Sequence, residues 1–222
     1  MTKCNKLIPA SLKVLFIGNS FTARNDLPGL VERIASAAGK GLEHRLISVG
    51  GASLRAHWNK GEASREIDLG DYDFVVLQEQ STLPIKNPNR MHENVRLFDR
   101  HIKSAGAKTV LYMTWARANA AATQDAITDA YTSIAEEILA TVIPAGVAWQ
   151  ELRAKHAAPR LYDKDGSHPT LAGSYLAACV AFSVLFGISP AGLNVALEGI
   201  SQADAQLLQA AATCHRWRGT RG

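Results

Sequence analysis

Two short stretches of this chain hold the residue types that nucleophilic chemistry needs. Gly18-Asn19-Ser20-Phe21-Thr22 places a hydroxyl directly after an apolar run, and Gly18 permits a sharp turn into a helix. The first amides of a helix have no partner inside it, so Ser20 offers a hydroxyl together with an outward N–H that can meet an oxyanion. The same serine, or Asn19, would also serve simply as a helix cap. Late in the chain stands Asp165-Gly166-Ser167-His168-Pro169. Its D-x-x-H spacing can bring the carboxylate to one imidazole nitrogen and leave the other nitrogen facing a nucleophile. Pro169 presets the first helical position and keeps His168 extended, although an Asp-Gly turn before a helix has the same composition.

Two further stretches can supply donors. Gly50-Gly51-Ala52-Ser53 lets backbone approach a ligand without Cβ interference, or forms an ordinary tight turn. Gln78-Glu79-Gln80-Ser81 is a polar burst after Phe74-Val75-Val76-Leu77, and a glutamine NH2 donates without carrying charge. Glu79 reads as a solvated or salt-bridged loop residue. Taken together, a serine, two sets of donors and an Asp/His pair meet the needs of acyl transfer: nucleophile, oxyanion hole, base and orienting acid.

Positioning these stretches requires a scaffold that delivers loops to one edge. Short β-branched runs alternate with longer helical patterns, which is the signature of βα units forming a parallel sheet covered on both faces. Strands are expected at Leu12–Ile17, Glu43–Val49, Phe74–Leu77, Thr109–Met113 and Val147–Trp149. Crossover helices are expected at Leu27–Ala38, Met91–Ala105 and Thr123–Val142. A long helix follows Pro169 and ends at Gly187, and a last one runs from a Ser201 cap to about Cys214. Ligands of open α/β sheets bind beyond the carboxyl ends of the strands, where the four stretches lie.

Composition narrows the alternatives. At 222 residues, 47% hydrophobic and 20% charged, the chain suits one globular domain over 1–222, with a short basic tail at about 215–222. Three cysteines without C-x-x-C spacing suggest a reducing compartment. The N-terminus shows no apolar signal core and no segment reaches the ~20 apolar residues of a membrane span, so a cytoplasmic location is expected. A net charge of +4 spread along the chain gives no stripe for a nucleic-acid backbone. His57, His92, His101 and His156 lack metal-ligand spacing and read as structural or surface residues. Trp115, Arg117 and the Trp58 region are candidates for lining a substrate site, although aromatics near strand ends more often pack.

These residues resemble the SGNH (GDSL-type) hydrolase superfamily over nearly the whole chain. Gly18-Asn19-Ser20 matches its G-D-S block with Asn19 in place of Asp, and Asp165 and His168 match its D-x-x-H block. Gln78-Glu79-Gln80-Ser81 departs from the usual G-x-N-D and is similar to the Q-G-E-S variant of carbohydrate acetylesterases. The resemblance implies a flavodoxin-like three-layer α/β/α sandwich with a five-stranded parallel sheet. It further implies Ser20, Asp165 and His168 as the catalytic set, and an oxyanion hole from the N–H groups of Ser20 and Gly51 with the side chain of Gln78 or, alternatively, Gln80. No metal or organic cofactor is implied. The expected activity is hydrolysis of a small-molecule or carbohydrate ester, most readily a short-acyl one. A lipase or thioesterase, a catalytically silent relative, and a phosphate-binding module at the Gly18–Thr22 turn are the competing readings.

Overall fold

In the computed structural model, which describes residues 10–213, the chain alternates strands and helices along its length. Strand β1 (Ser11–Gly18) leads into a single helical turn, α1 (Ser20–Ala23), and then α2 (Leu27–Ala37). β2 (Gly41–Ser48) is followed by α3 (Leu54–Lys60) and α4 (Glu62–Leu69), and β3 (Phe74–Leu77) by α5 (Leu83–Lys86) and α6 (Pro88–Ser104). β4 (Lys108–Tyr112) precedes α7 (Gln124–Ile138), and β5 (Thr141–Ile143) precedes α8 (Ala145–Lys155). α9 (Leu171–Phe186) and α10 (Gln202–Thr213) complete the described chain.

The five strands form one sheet in the order β2-β1-β3-β4-β5, and every pairing is parallel. This is the flavodoxin-like order, and its switch point lies between β1 and β3, where successive connections leave in opposite directions. Alternation along each strand sorts side chains to two faces. Leu12, Val14 and Phe16 pack with Val76, Val110 and Tyr112 beneath α2, α8 and α9. Leu15 and Ile17 pack with Val75, Leu77 and Leu111 beneath α3, α4, α6 and α7. The result is the expected three-layer α/β/α sandwich. α9 is apolar all round because it is covered on its outer side as well, with Leu208 of α10 and Trp149 of α8 in the same core.

The expected strand at Val147–Trp149 is corrected: those residues lie inside α8, and the fifth strand is Thr141–Ile143. The helix expected over Thr123–Val142 stops at Ile138 because Leu139 turns into the left-handed region at φ 55°. A three-residue strand and an apolar buried helix both read as short apolar runs, so periodicity could not separate them. Helices α3 and α4 were not anticipated. They are mostly polar, bury only Leu54, His57, Ala63 and Ile67, and are separated by Gly61 at φ 73°.

Three outcomes concern the chain ends and cysteines. Ser201 caps α10 as expected, its Oγ accepting from Asp204 N–H at 3.1 Å. Cys4, Cys214 and the basic cluster His215 to Arg221 lie outside the described residues, whereas Cys179 is buried in α9 and burial pushes its thiol pKa up. Among the described residues no helix is long and apolar enough to cross a membrane.

Leu139 provides a test of this fold. It is 82% exposed and occupies a conformation that costs an L-residue about 1–2 kcal/mol, so its side chain contributes little in return. Leu139→Gly is expected to raise stability by up to about 1 kcal/mol, read as a higher urea midpoint at unchanged slope.

Candidate active site

The pairing register brings the site together. Ile17 lies opposite both Ile47 and Leu77, and Gly18 opposite Ser48, so β1, β2 and β3 end at one level and release their loops side by side. Asn19 caps α1, with its Oδ1 accepting from Phe21 N–H at 3.1 Å. Ser20 is thereby the first residue of the helix, and among the described residues its N–H donates no hydrogen bond. A Cβ on Gly18 would meet Gln78 Oε1 and Thr22 Oγ1, each at 2.6 Å, so a side chain cannot be accommodated in this turn.

Ser20 Oγ lies 2.8 Å from His168 Nε2, across 148 residues of sequence. His168 Nδ1 lies 2.5 Å from Asp165 Oδ2. A carboxylate only accepts, so Nδ1 carries the proton and the neutral ring presents Nε2 as acceptor to the serine hydroxyl. Asp165 Oδ1 also accepts from the N–H groups of Ser167 and His168, both at 2.9 Å. The His168 imidazole first, and then these two amides, hold the Asp165 carboxyl well below the usual carboxylate range. It therefore stays ionised at any pH at which the imidazole can act as a base. Hydroxyl, imidazole and carboxylate in series can take a proton from an attacking oxygen and return it to a leaving group.

The loop carrying Asp165 and His168 is pinned from several directions. Asp163 N–H donates to His168 O at 2.8 Å, Thr170 N–H to Leu161 O at 2.9 Å, and Ala118 N–H to Gly166 O at 2.8 Å. Arg24 pairs with Asp163 at 2.6 Å and Asn25 Nδ2 donates to Pro169 O at 3.2 Å, which ties the loop to the segment after Ser20. Trp115 is buried, stacks on Trp149 at 3.7 Å, and donates its indole N–H to Ser167 O at 3.0 Å. It holds the loop and is not exposed to a substrate. Trp58 packs edge-on against Phe98 and His101, while Arg117 is exposed.

The glycine loop is clamped beside the serine turn. Asn19 Nδ2 donates to Ala52 O at 3.0 Å and Val49 N–H to Gly18 O at 3.3 Å. Gly51 adopts φ 67°, and its N–H has no acceptor among the described residues. His57, expected as a structural or surface residue, is buried and donates Nε2–H to Gly18 O at 2.7 Å. Burial lowers its pKa, which keeps the ring neutral in this role.

The third loop differs most from expectation. Gln78 is buried, and its Oε1 accepts from Asn19 N–H at 2.9 Å and Thr22 Oγ1–H at 3.0 Å, while its NH2 donates to Glu79 O. Its carboxamide is engaged in holding the serine turn. Gln80 is half-buried; its Oε1 accepts from Thr82 N–H at 2.9 Å, Thr82 Oγ1–H at 3.0 Å and Leu83 N–H at 3.1 Å. Its NH2 donates to no acceptor among the described residues. Glu79 is buried rather than solvated, and among the described residues no Lys or Arg forms an ion pair with it. A burst of polar residues after a strand gave no sign of which member would turn inward.

No family model and no curated protein matches the chain. Solved structures do match. A proposed SGNH hydrolase of Slackia heliotrinireducens is 28% identical, with a TM-score of 0.69 over 79% of this chain and 99% of its own. A DUF4886 family protein of Bacteroides uniformis is 22% identical, with a TM-score of 0.72 over 91% and 93%. An acetyl xylan esterase is 14% identical, with a TM-score of 0.59 over 78% and 98%. Fold and structural likeness together place the chain in the SGNH (GDSL-type) hydrolase superfamily.

Trp115 tests the pinning of the loop. Trp115→Phe retains an aromatic ring but leaves Ser167 O without its donor, at a cost of about 1–3 kcal/mol. The expected result is a lower thermal midpoint, measured by calorimetry.

Proposed function

We propose that the protein is a serine esterase acting through an acyl-enzyme, with Ser20 as nucleophile, His168 as general base and then acid, and Asp165 as the group that orients the imidazole. The observation that carries this reading is the hydrogen-bonded series from Ser20 Oγ through His168 to Asp165, contributed by opposite ends of the chain. As Ser20 attacks an ester carbonyl, its proton passes to Nε2 and the tetrahedral oxyanion forms. The leaving alcohol takes that proton, and water activated by the same imidazole then hydrolyses the acyl group.

The oxyanion is assigned to the N–H groups of Ser20 and Gly51, which have no acceptor among the described residues. For the third donor we take Gln80 in place of Gln78, because the Gln78 carboxamide is engaged on both ends and the Gln80 NH2 is not. A short-acyl ester, such as an acetyl group on a carbohydrate, is the substrate class favoured by the Gln78-Glu79-Gln80-Ser81 block.

Incubation with an organophosphonate followed by mass mapping is expected to label Ser20, with p-nitrophenyl acetate cleaved faster than long-chain esters. Ser20→Ala should lose both the label and at least about a thousandfold in kcat while keeping its fold. A fully active Ser20→Ala removes the nucleophile assignment, and faster cleavage of long-chain esters removes the short-acyl one. Gln80→Ala is expected to lose about a hundredfold in kcat with little change in stability. Gln78→Ala should instead lower the thermal midpoint by unfastening the serine turn, and the reverse pattern would return the donor role to Gln78.

A further inference from the structure

A buried carboxylate that the reaction does not consume stands between the glycine loop and the third loop. Glu79 is 1% exposed. Its Oε1 accepts from Leu54 N–H at 3.0 Å and Gln80 N–H at 2.7 Å, and its Oε2 from Asn94 Nδ2–H at 2.9 Å. Leu54 is the first residue of α3, three positions after Gly51, and its amide is one that the helix itself leaves without a partner. Behind the carboxylate, Asn94 Oδ1 accepts from Arg55 Nε–H at 2.9 Å, so the guanidinium is hydrogen-bonded to the carboxamide that donates to Glu79. Arg55 also lies 3.9 Å from Glu93 at the surface.

A buried charge is costly unless several donors meet it, and an apolar residue would fill this space more cheaply if packing were the sole need. Two of the three donors here, the Leu54 and Gln80 amides, come from the segments on which the oxyanion-binding reading depends. One oxygen bridges the Leu54 amide to the amide of Gln80, and the other fastens both to α6.

We infer that Glu79 is a positioning residue that sets the distance between the Gly51 loop and Gln80, with Asn94 and Arg55 holding the carboxylate in place. The inference rests on the esterase reading above. Preorganised donors act only when they are placed where charge develops, and a misplacement of about 1 Å costs on the order of a hundredfold in rate.

The bonding pattern dictates the test. In Glu79→Gln the introduced carboxamide can still accept from Leu54 and Gln80, but its NH2 then faces the Asn94 NH2, donor against donor. Asn94 cannot turn over, because its oxygen is held by Arg55. Adding Asn94→Asp restores acceptors toward both neighbours and moves the charge next to Arg55. With p-nitrophenyl acetate, E79Q is expected to lose about tenfold to a hundredfold in kcat, with KM within about threefold. The double variant E79Q/N94D should recover kcat to within about threefold of the wild type. Thermal midpoints recorded alongside separate rate from folding.

An E79Q as fast as the wild type, or a folded double variant no faster than E79Q, overturns the inference while leaving the esterase reading intact. A wild-type chain that neither hydrolyses the ester nor labels at Ser20 overturns the esterase reading, and this inference with it. Should E79Q fail to accumulate as folded protein, Asn94→Ala makes a parallel comparison, since it removes the donor to Oε2 together with the acceptor that holds Arg55 behind it. A kcat for N94A within about twofold of the wild type then overturns the proposal.

Discussion

The parallel register of β1 with its two neighbours is the constraint on which the site rests. Because Gly18, Ser48 and Leu77 finish at one level, the loops that follow must share the same edge of the sheet. The switch in connection direction between β1 and β3 opens the crevice there, so the serine turn lies where an open α/β sheet can accept a ligand. Apolar burial on both faces makes this register hard to slip. A shift of one residue would send Val14 and Phe16 to the face occupied by Leu15 and Ile17.

Around the serine turn, bonds converge on backbone as much as on side chains. Gly18 O accepts from both Val49 and His57, Asn19 N–H donates to Gln78, and the Asn19 carboxamide links Phe21 to Ala52. The partners outside the turn come from the loop after β2, from α3 and from the end of β3, so the position of Ser20 is set by these neighbours as well as by its own short helix. The Asp165–His168 loop is fixed in a comparable way by Trp115, Ala118 and Arg24. A hydroxyl and an imidazole from distant parts of the chain meet at 2.8 Å because both carriers are braced. Such bracing is what preorganised chemistry requires, since it removes the need for reorganisation during the reaction.

Polar side chains carry much of this bracing from buried positions. Asn19, His57, Gln78, Glu79 and Asn94 are all nearly or wholly removed from solvent, and each has a partner. Their neighbours in sequence are ordinary loop residues, and composition alone makes them look solvated. Burial turns them into fasteners, because a buried polar group that loses its partner costs more than an exposed one.

The amino-acid sequence by itself determined the alternating β and α plan, four of the five strands, the helix after Pro169 with its stop at Gly187, and the candidate set of Ser20, Asp165 and His168. These features are local: period-two and helical patterns, glycine turns and a D-x-x-H spacing act over a few residues. Only the tertiary structure decided the rest. It placed the fifth strand at Thr141–Ile143, because a three-residue strand carries too little pattern to be told from a buried helix. It turned Trp115 and His57 inward as supports and drew Glu79 into the core. It also engaged the Gln78 carboxamide beneath the serine while leaving the Gln80 NH2 without an acceptor among the described residues. Those outcomes depend on which groups a neighbouring loop or helix presents across tens of residues, and no local pattern encodes that.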